Sequence, residues 1–434
     1  IMQERQNLST PARPVRRGLM GFPSTPVENP AEKWSAELGS DLDSPCTAYL
    51  HIPFCRTRCT FCNFYSGTGT KQEIADYAQL LIREIRDWGP RIRGTVNAVY
   101  FGGGTPGILA PGDVRSILSA VRSALPLAND AEITWETRVE DLDDAHLDAT
   151  LENGVNRFSV GVQTFHTELR RALGRASAKE TVLEALARTA RRNQAAVTVD
   201  LLYGLPGQTP EHLAEDLETV CRAGISGFSF YRFHVHPGLR LAEQIRAGQM
   251  PQVPPEEACF ELYRLCTERM TAAGANKISF KHYAFGTRER NLYNAISAWK
   301  LPCIPFGLSA AGRLGGFRFK QTSSMPDYRD LVLRGEKPIA AAGRMPGDFP
   351  ASARIGGELN CCMTLHPESV LPFVPEPLRE RAAELLKEAA ETQVAKETMF
   401  PERFGGYRLT ERGCFACPAT GSEIMEKFAE AWRM

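Results

Sequence analysis

The sequence predicts an α/β protein: a partial barrel of six β/α units followed by a smaller, mainly helical C-terminal domain. Three observations carry this expectation. From Thr47 onward, short apolar runs of β character alternate with helical stretches of about 10 to 15 residues, the pattern of βαβ units with right-handed crossovers and a parallel sheet. The residues that stand out chemically fall at or just beyond the carboxyl ends of those runs, where such barrels gather their chemistry. After about Phe319 the strand periodicity fades and helical patches take over.

Taken in order, residues 1–44 are rich in Pro, Arg and Ser with little periodicity and read as an extended arm, with a loose tail as the alternative. The barrel is expected over residues 45–325. Its β-like runs are Thr47 to Ile52, Val96 to Phe101, Glu132 to Glu136, Arg157 to Val162, Val197 to Leu202 and Gly227 to Phe233. Between them, Ile74, Tyr77, Leu81, Ile85 and Trp88 recur at helical spacing, and Leu213, Leu217 and Val220 share one helix face. The C-terminal domain is expected over residues 326–434. There, helical patches at Leu378 to Thr392 and Gly421 to Arg433 flank GGYRLTERG, Gly405 to Gly413, which reads as a β wing before a terminal helix.

Composition narrows the classes of function. A chain of 434 residues, 43% hydrophobic and 24% charged, is long enough for a large core and a second domain. With 51 basic against 51 acidic side chains, it carries no electrostatic footprint for nucleic acid. No apolar run approaches the roughly 18 to 20 residues of a membrane span, and the start has arginines but no apolar core of a secretory signal. Twelve cysteines, the conspicuous ones grouped as ligands, fit a reducing cytoplasm better than a disulfide framework.

The chain is organised around HIPFCRTRCTFCNFYS, His51 to Ser66. Cys55, Cys59 and Cys62 stand at C-x3-C-x2-C spacing directly after a β-like run, so a tight loop gathers three thiolates at a strand end. Three thiolates can hold three irons of a [4Fe-4S] cube and leave the fourth open to a small chelating molecule. A structural zinc site or a four-cysteine cluster needs a fourth ligand. No cysteine follows closely after Cys62, and Cys46 sits at the opposite end of the strand.

The C-x3-C-x2-C loop, with Phe61 inside it and Tyr49 and HIPF before it, resembles the signature of the radical S-adenosylmethionine (SAM) superfamily, in its HemN-like branch. GGGTP at Gly102 to Pro106, EITWE ending in Glu136, SVGVQTF at Ser159 to Phe165, LGR ending in Arg175 and VDLLYGLPGQT at Val199 to Thr209 match branch motifs in order. The resemblance implies a six-unit radical-SAM barrel, a [4Fe-4S] cluster on Cys55, Cys59 and Cys62, and two SAM molecules. It places the first with Tyr49, Phe61, Gly103 and Glu136, and the second with Gly104, Thr105, Gln163, Arg175 and Asp200. It also implies that Ala311, in GLSAA at Gly307 to Ala311, packs against the first. The side-chain chemistry agrees, since carboxylates suit amino or hydroxyl groups and a guanidinium suits a carboxylate. The glycine run is expected to let backbone approach a ligand where a Cβ would clash.

Phe230, Tyr231 and Phe233 lead into His234 and His236, and Phe280, His282 and Tyr283 form a second such group. If they face the pocket, these would wall a flat tetrapyrrole, with His234, His236 or His282 as candidate substrate contacts; otherwise they are core. Cys414 and Cys417 form a C-x2-C without a companion pair and read as structural thiols.

Within the branch, the oxygen-independent coproporphyrinogen dehydrogenases follow the cysteine motif with Gly-Cys, where this chain has Asn63 and Phe64. The HemW-type haem chaperones carry His-Asn-x-x-Tyr-Trp, where this chain has Asn291, Leu292, Tyr293 and Asn294. The CRTRCTFC loop followed by Phe64, the loss of both signatures and the overall length resemble the ChuW/HutW group of anaerobic haem-degrading methyltransferases, with the dehydrogenase and the chaperone as alternatives. That resemblance implies radical C-methylation that opens the haem macrocycle, releasing iron and a linear tetrapyrrole, with a flavodoxin-like or other low-potential electron donor.

Overall fold

The computed structural model describes residues 24–42, 44–62, 67–403 and 405–433. A thirteen-stranded sheet dominates it. In chain order its strands are β1 (Thr25–Pro26), β2 (Cys46–Ile52), β3 (Val96–Gly103), β4 (Leu127–Thr137), β5 (Arg157–Gln163), β6 (Ala196–Tyr203), β7 (Gly227–Arg232), β8 (Asn276–Ser279), β9 (His282–Ala284), β10 (Cys303–Phe306), β11 (Ala311–Leu314), β12 (Phe317–Gln321) and β13 (Ile339–Arg344). In space they run β1-β13-β12-β11-β10-β2-β3-β4-β5-β6-β7-β9-β8. From β10 through β2 to β7 all neighbours are parallel. β2 to β7 are the six strands expected, and β10 adds a seventh parallel member beside β2. The outermost strands, β1 and β8, do not pair with each other, so the barrel stays open.

Local chemistry accounts for the repeating units. The helix Lys71–Trp88 starts at a capping box: the Thr70 hydroxyl accepts from Glu73 N, and the Glu73 carboxylate accepts from Thr70 N. Its buried stripe includes Ile74, Tyr77, Leu81, Ile85 and Trp88, the face read from the sequence. A second such box, Thr209 with His212, opens Pro210–Arg222. Parallel strands covered on both faces need apolar side chains throughout, and all seven residues of β5 are buried.

The ends of the chain depart from expectation. Of the arm, residues 1–23 and 43 lie outside the described residues. The rest is not extended: β1 pairs antiparallel with β13, and Pro30–Leu38 is a helix whose Trp34 meets Phe319 edge to face at 5.1 Å. The sheet also runs past the boundary placed at residue 325, because β12 pairs with β13. Beyond it lie the helices Phe349–Gly357, Arg379–Ala395 and Cys417–Phe428 and a small sheet of β14 (Thr364–Leu365), β15 (Met399–Pro401) and β16 (Tyr407–Leu409). One hydrophobic core runs from Trp34 through the barrel to Phe428, so these helices share the barrel's interior packing.

A buried polar bolt holds the seam. Glu84 Oε1 accepts from Lys337 Nζ at 2.7 Å and Gln321 Nε2 at 2.8 Å, and Oε2 accepts from Tyr328 Oη at 2.7 Å and Gly307 N at 2.9 Å. Tyr77 Oη donates to the His51 carbonyl and accepts from Leu308 N. Residues from the helix Lys71–Trp88, the GLSAA turn and the sheet extension thus converge behind the strand that carries the cysteine loop.

Candidate active site

β2 delivers His51 to the mouth of the barrel, and the loop after it is tied down from several sides. Gly104 N donates to Ile52 O at 2.7 Å and Thr105 N to Phe54 O at 2.8 Å. Arg56 Nε donates to Asp141 at 2.7 Å, and Arg138 Nη1 to Thr57 Oγ1 at 2.9 Å. Thr60 Oγ1 donates to Ala172 O at 3.0 Å, and Leu241 N to Thr60 O at 3.0 Å. Segments following β3, β4, β5 and β7 therefore hold the loop through Ile52, Phe54, Arg56, Thr57 and Thr60.

The glycine run meets a packing demand and also lines the cavity described below. A Cβ on Gly104 would stand 2.3 Å from the Phe54 carbonyl oxygen, and Gly103, at φ +107°, faces the His51 ring. These positions admit the cysteine loop.

The loop closes one end of a cavity of about 200 Å³. Cys55, Cys59 and Cys62 line it together with Phe61, Gly103, Gly104, Thr105, Glu136, Gln163, Arg175 and Asp200. Tyr49 and Ala311 do not. The Tyr49 hydroxyl pairs with His51 Nδ1 at 3.0 Å, its ring lying 6.3 Å from that of Tyr100, and Ala311 begins β11, where it pairs with Lys320. Thr57, Arg138 and Tyr231 also line the cavity without having been assigned to a SAM site. Arg138 lies two residues after Glu136, and that spacing of two is the signal for a shared face. Asn63 and Phe64 lie outside the described residues.

At the end of β5 the register with β6 slips between Gly161 and Gln163, and Gln163 takes φ +73°, in the left-handed region. A bulge at a strand end re-aims a side chain, and such strain persists where the surroundings hold it. Gln163 Nε2 lies against Gly161, whose carbonyl accepts from Arg175 Nη1 at 3.2 Å. Arg175 Nε is buried with no hydrogen-bond partner among the described residues.

Burial pushes Glu136 up to about 8, the Asp200 charge adding to it. Asp200 is raised by burial too, with Arg157 opposing. Burial raises the Cys55 thiol, and its neighbours Cys62 and Cys59 add to the rise against a hydrogen bond from Thr105. Because the folded pKa of Glu136 lies above its ordinary value, the stability tied to it is fully present below pH 4.5 and is lost as pH rises through 8. In cluster-free protein, Glu136→Gln is expected to gain about 1 to 3 kcal/mol over the parent at pH 8.5 and nothing at pH 4.5. Melting curves of both proteins at the two pH values check this; equal shifts at both would remove the carboxyl from the account.

Among the described residues, no three His, Cys, Asp or Glu side chains form a group that could hold a metal ion. A cube asks for a different arrangement, since each thiolate bonds its own iron. Three thiols on one wall of a cavity suit that demand. Two carboxyl groups and a guanidinium whose Nε has no partner among the described residues, lining the same cavity, suit a zwitterionic amino acid.

Of the expected tetrapyrrole contacts, His234 lines a second cavity of about 480 Å³, together with Phe230, Tyr231 and Phe280; His236 lines neither cavity. His282 is 1% exposed, and both ring nitrogens are engaged, with Ser229 at 2.9 Å and Glu289 at 3.1 Å. Its ring is thus committed to internal hydrogen bonds where β9 pairs with β7. Tyr283 stacks on Phe228, and Phe233 packs against Phe61. Cys414 and Cys417 are buried thiols.

The barrel, the cysteine loop at its strand ends and the sequence agree on a class: the chain belongs to the radical SAM superfamily, whose model matches residues 49–220, and its relatives place it in the HemN-like branch. It is a radical SAM enzyme, of a family that holds a [4Fe-4S] cluster and SAM. Anaerobilin synthase of Escherichia coli O157:H7 is 37% identical over 332 residues, 75% of this chain and 74% of that protein. The heme chaperone HemW of Bacillus subtilis (strain 168) is 28% identical over 66% of this chain and 76% of that one. Among solved structures, the coproporphyrinogen III oxidase HemN of Escherichia coli shares the fold, with a TM-score of 0.78 at 20% identity over 92% of this chain and 93% of that one. No helix among the described residues is long and apolar enough to cross a membrane.

Proposed function

We propose that this chain is a C-methyltransferase that methylates and opens the haem macrocycle without oxygen, releasing iron and a linear tetrapyrrole. The observation that carries the reading is the 37% identity to anaerobilin synthase over three quarters of both chains. The clustering of the motif side chains on one cavity supports it.

When bound, the cluster supplies the electron that cleaves SAM, and a second SAM supplies the methyl group. Cys55, Cys59 and Cys62 hold the irons. Phe61, Gly103 and Glu136 hold the first SAM, with Tyr49 and Ala311 behind them. Gly104, Thr105, Gln163, Arg175 and Asp200 hold the methyl donor, Arg175 Nε being suited to its carboxylate. Placing both at one cavity wall supplies proximity, which accounts for much of the rate in such reactions. His234 is the imidazole best placed for the tetrapyrrole, and a flavodoxin-like or other low-potential protein is the fitting electron donor.

The test is anaerobic turnover of cluster-reconstituted protein with methyl-labelled SAM, offering haem and coproporphyrinogen III separately. A labelled linear tetrapyrrole from haem is expected. Decarboxylated porphyrinogen would instead make this a dehydrogenase, and haem binding without turnover of either substrate a chaperone. In the same assay Asp200→Ala should lower methyl transfer about ten- to a hundredfold, and 5′-deoxyadenosine formation much less. Equal loss of both would refute the division of the two SAM sites.

A further inference from the structure

The cluster cavity shares a wall with a second chamber. Tyr231 lines it and also lines the chamber of about 480 Å³ that opens between the end of β7 and the C-terminal helices. Tyr203, Phe230, Tyr263, Phe280 and Phe415 give this chamber aromatic walls, and Cys414 to Ala419 close it from the C-terminal side. Its volume is in the range of pockets that enclose a drug-sized ligand, and its walls suit a flat conjugated ring.

Two cations stand in the chamber, and they differ. Arg232 is matched by Glu256 at 3.8 Å. Lys281 has no carboxylate within ion-pair distance among the described residues; its ammonium lies 5.1 Å from the Tyr231 ring centroid and 5.6 Å from that of Phe280. Burial holds its pKa below the ordinary lysine value, and Asp200 acts on it only at longer range. A half-buried cation over aromatic rings with no counter-charge is costly unless a ligand supplies one.

We infer that this chamber seats the tetrapyrrole ring and that Lys281 anchors one of its propionate carboxylates, so that the ring edge meets the cluster cavity at Tyr231. The inference rests on the haem reading above and extends it: the C-terminal domain becomes one wall of the substrate site.

Binding is read by quenching of tryptophan emission in the full-length, cluster-loaded chain, titrated with haem and with haem dimethyl ester, whose propionates are uncharged. Lys281→Met is expected to weaken haem binding at least about tenfold, with less than about a twofold effect on the ester. Lys281→Arg should restore most of the affinity for haem. Ala419→Trp, at an exposed position on the C-terminal wall, should weaken both ligands alike by filling the chamber. If the parent binds haem and Lys281→Met binds it equally well, the anchor is overturned while the haem reading stands. If Ala419→Trp leaves both ligands unaffected, the chamber is the wrong place. If the parent binds neither ligand, the haem reading and the anchor fall together.

Discussion

Replacing any one of Cys55, Cys59 or Cys62 with alanine is expected to reduce iron and sulfide content to background and to abolish both 5′-deoxyadenosine formation and product formation. Each thiolate is assigned its own iron, and no described cysteine near the loop can substitute: Cys46 is buried at the far end of β2, its thiol turned to the Thr47 carbonyl. The fold should survive, because the loop's ties run through Arg56, Thr57, Thr60 and backbone groups. Loss of iron with an unchanged circular dichroism spectrum is therefore the signature. A variant with full iron content would end the cluster assignment.

Glu84→Ala is expected to destabilise the protein by about 3 to 5 kcal/mol, the cost of breaking a buried ion pair by removing one partner. Four donors lose the carboxylate at once: Tyr328 Oη and Gly307 N, and Lys337 Nζ and Gln321 Nε2, which keep only the Pro305 carbonyl. Lys337→Met should cost less, about 1 to 3 kcal/mol, because three donors still satisfy the carboxylate. Combining the two should cost less than their sum. Urea unfolding of the cluster-free proteins measures all three. Strict additivity would mean that the pair is not coupled. The damage should also reach the site, since Gly307 and Leu308 back onto the strand that delivers the cysteines.

What could be read from the residues alone followed the range of the interaction. The cysteine loop and the motif residues at strand ends were legible because spacing of two or three residues encodes them locally. For the glycine run, a further demand was not legible: the Phe54 carbonyl and the His51 ring that need the room belong to a different strand and loop. The helix around Trp34 was missed because its amphipathic signal is short, and it is held by Phe319 and β13, about three hundred residues away. β11, β12 and β13 escaped for a related reason. They are four to six residues long and are fixed by pairing with one another. Lys281 and Lys337 are ordinary lysines in a sequence, and only tertiary packing shows one with no counter-charge and the other bonded to Glu84.

The ties on the cysteine loop also set an order of assembly. Thr60 reaches Ala172 across 112 positions, and Arg56 reaches Asp141 across 85. Leu241, beyond β7, completes the set. A nascent chain that has emerged only as far as β4 already contains all three thiols but lacks the framework that aims them at one another. Closing such long loops is entropically expensive and comes late. The ties that hold the three thiols on one cavity wall are therefore complete only once the segment beyond β7 is in place.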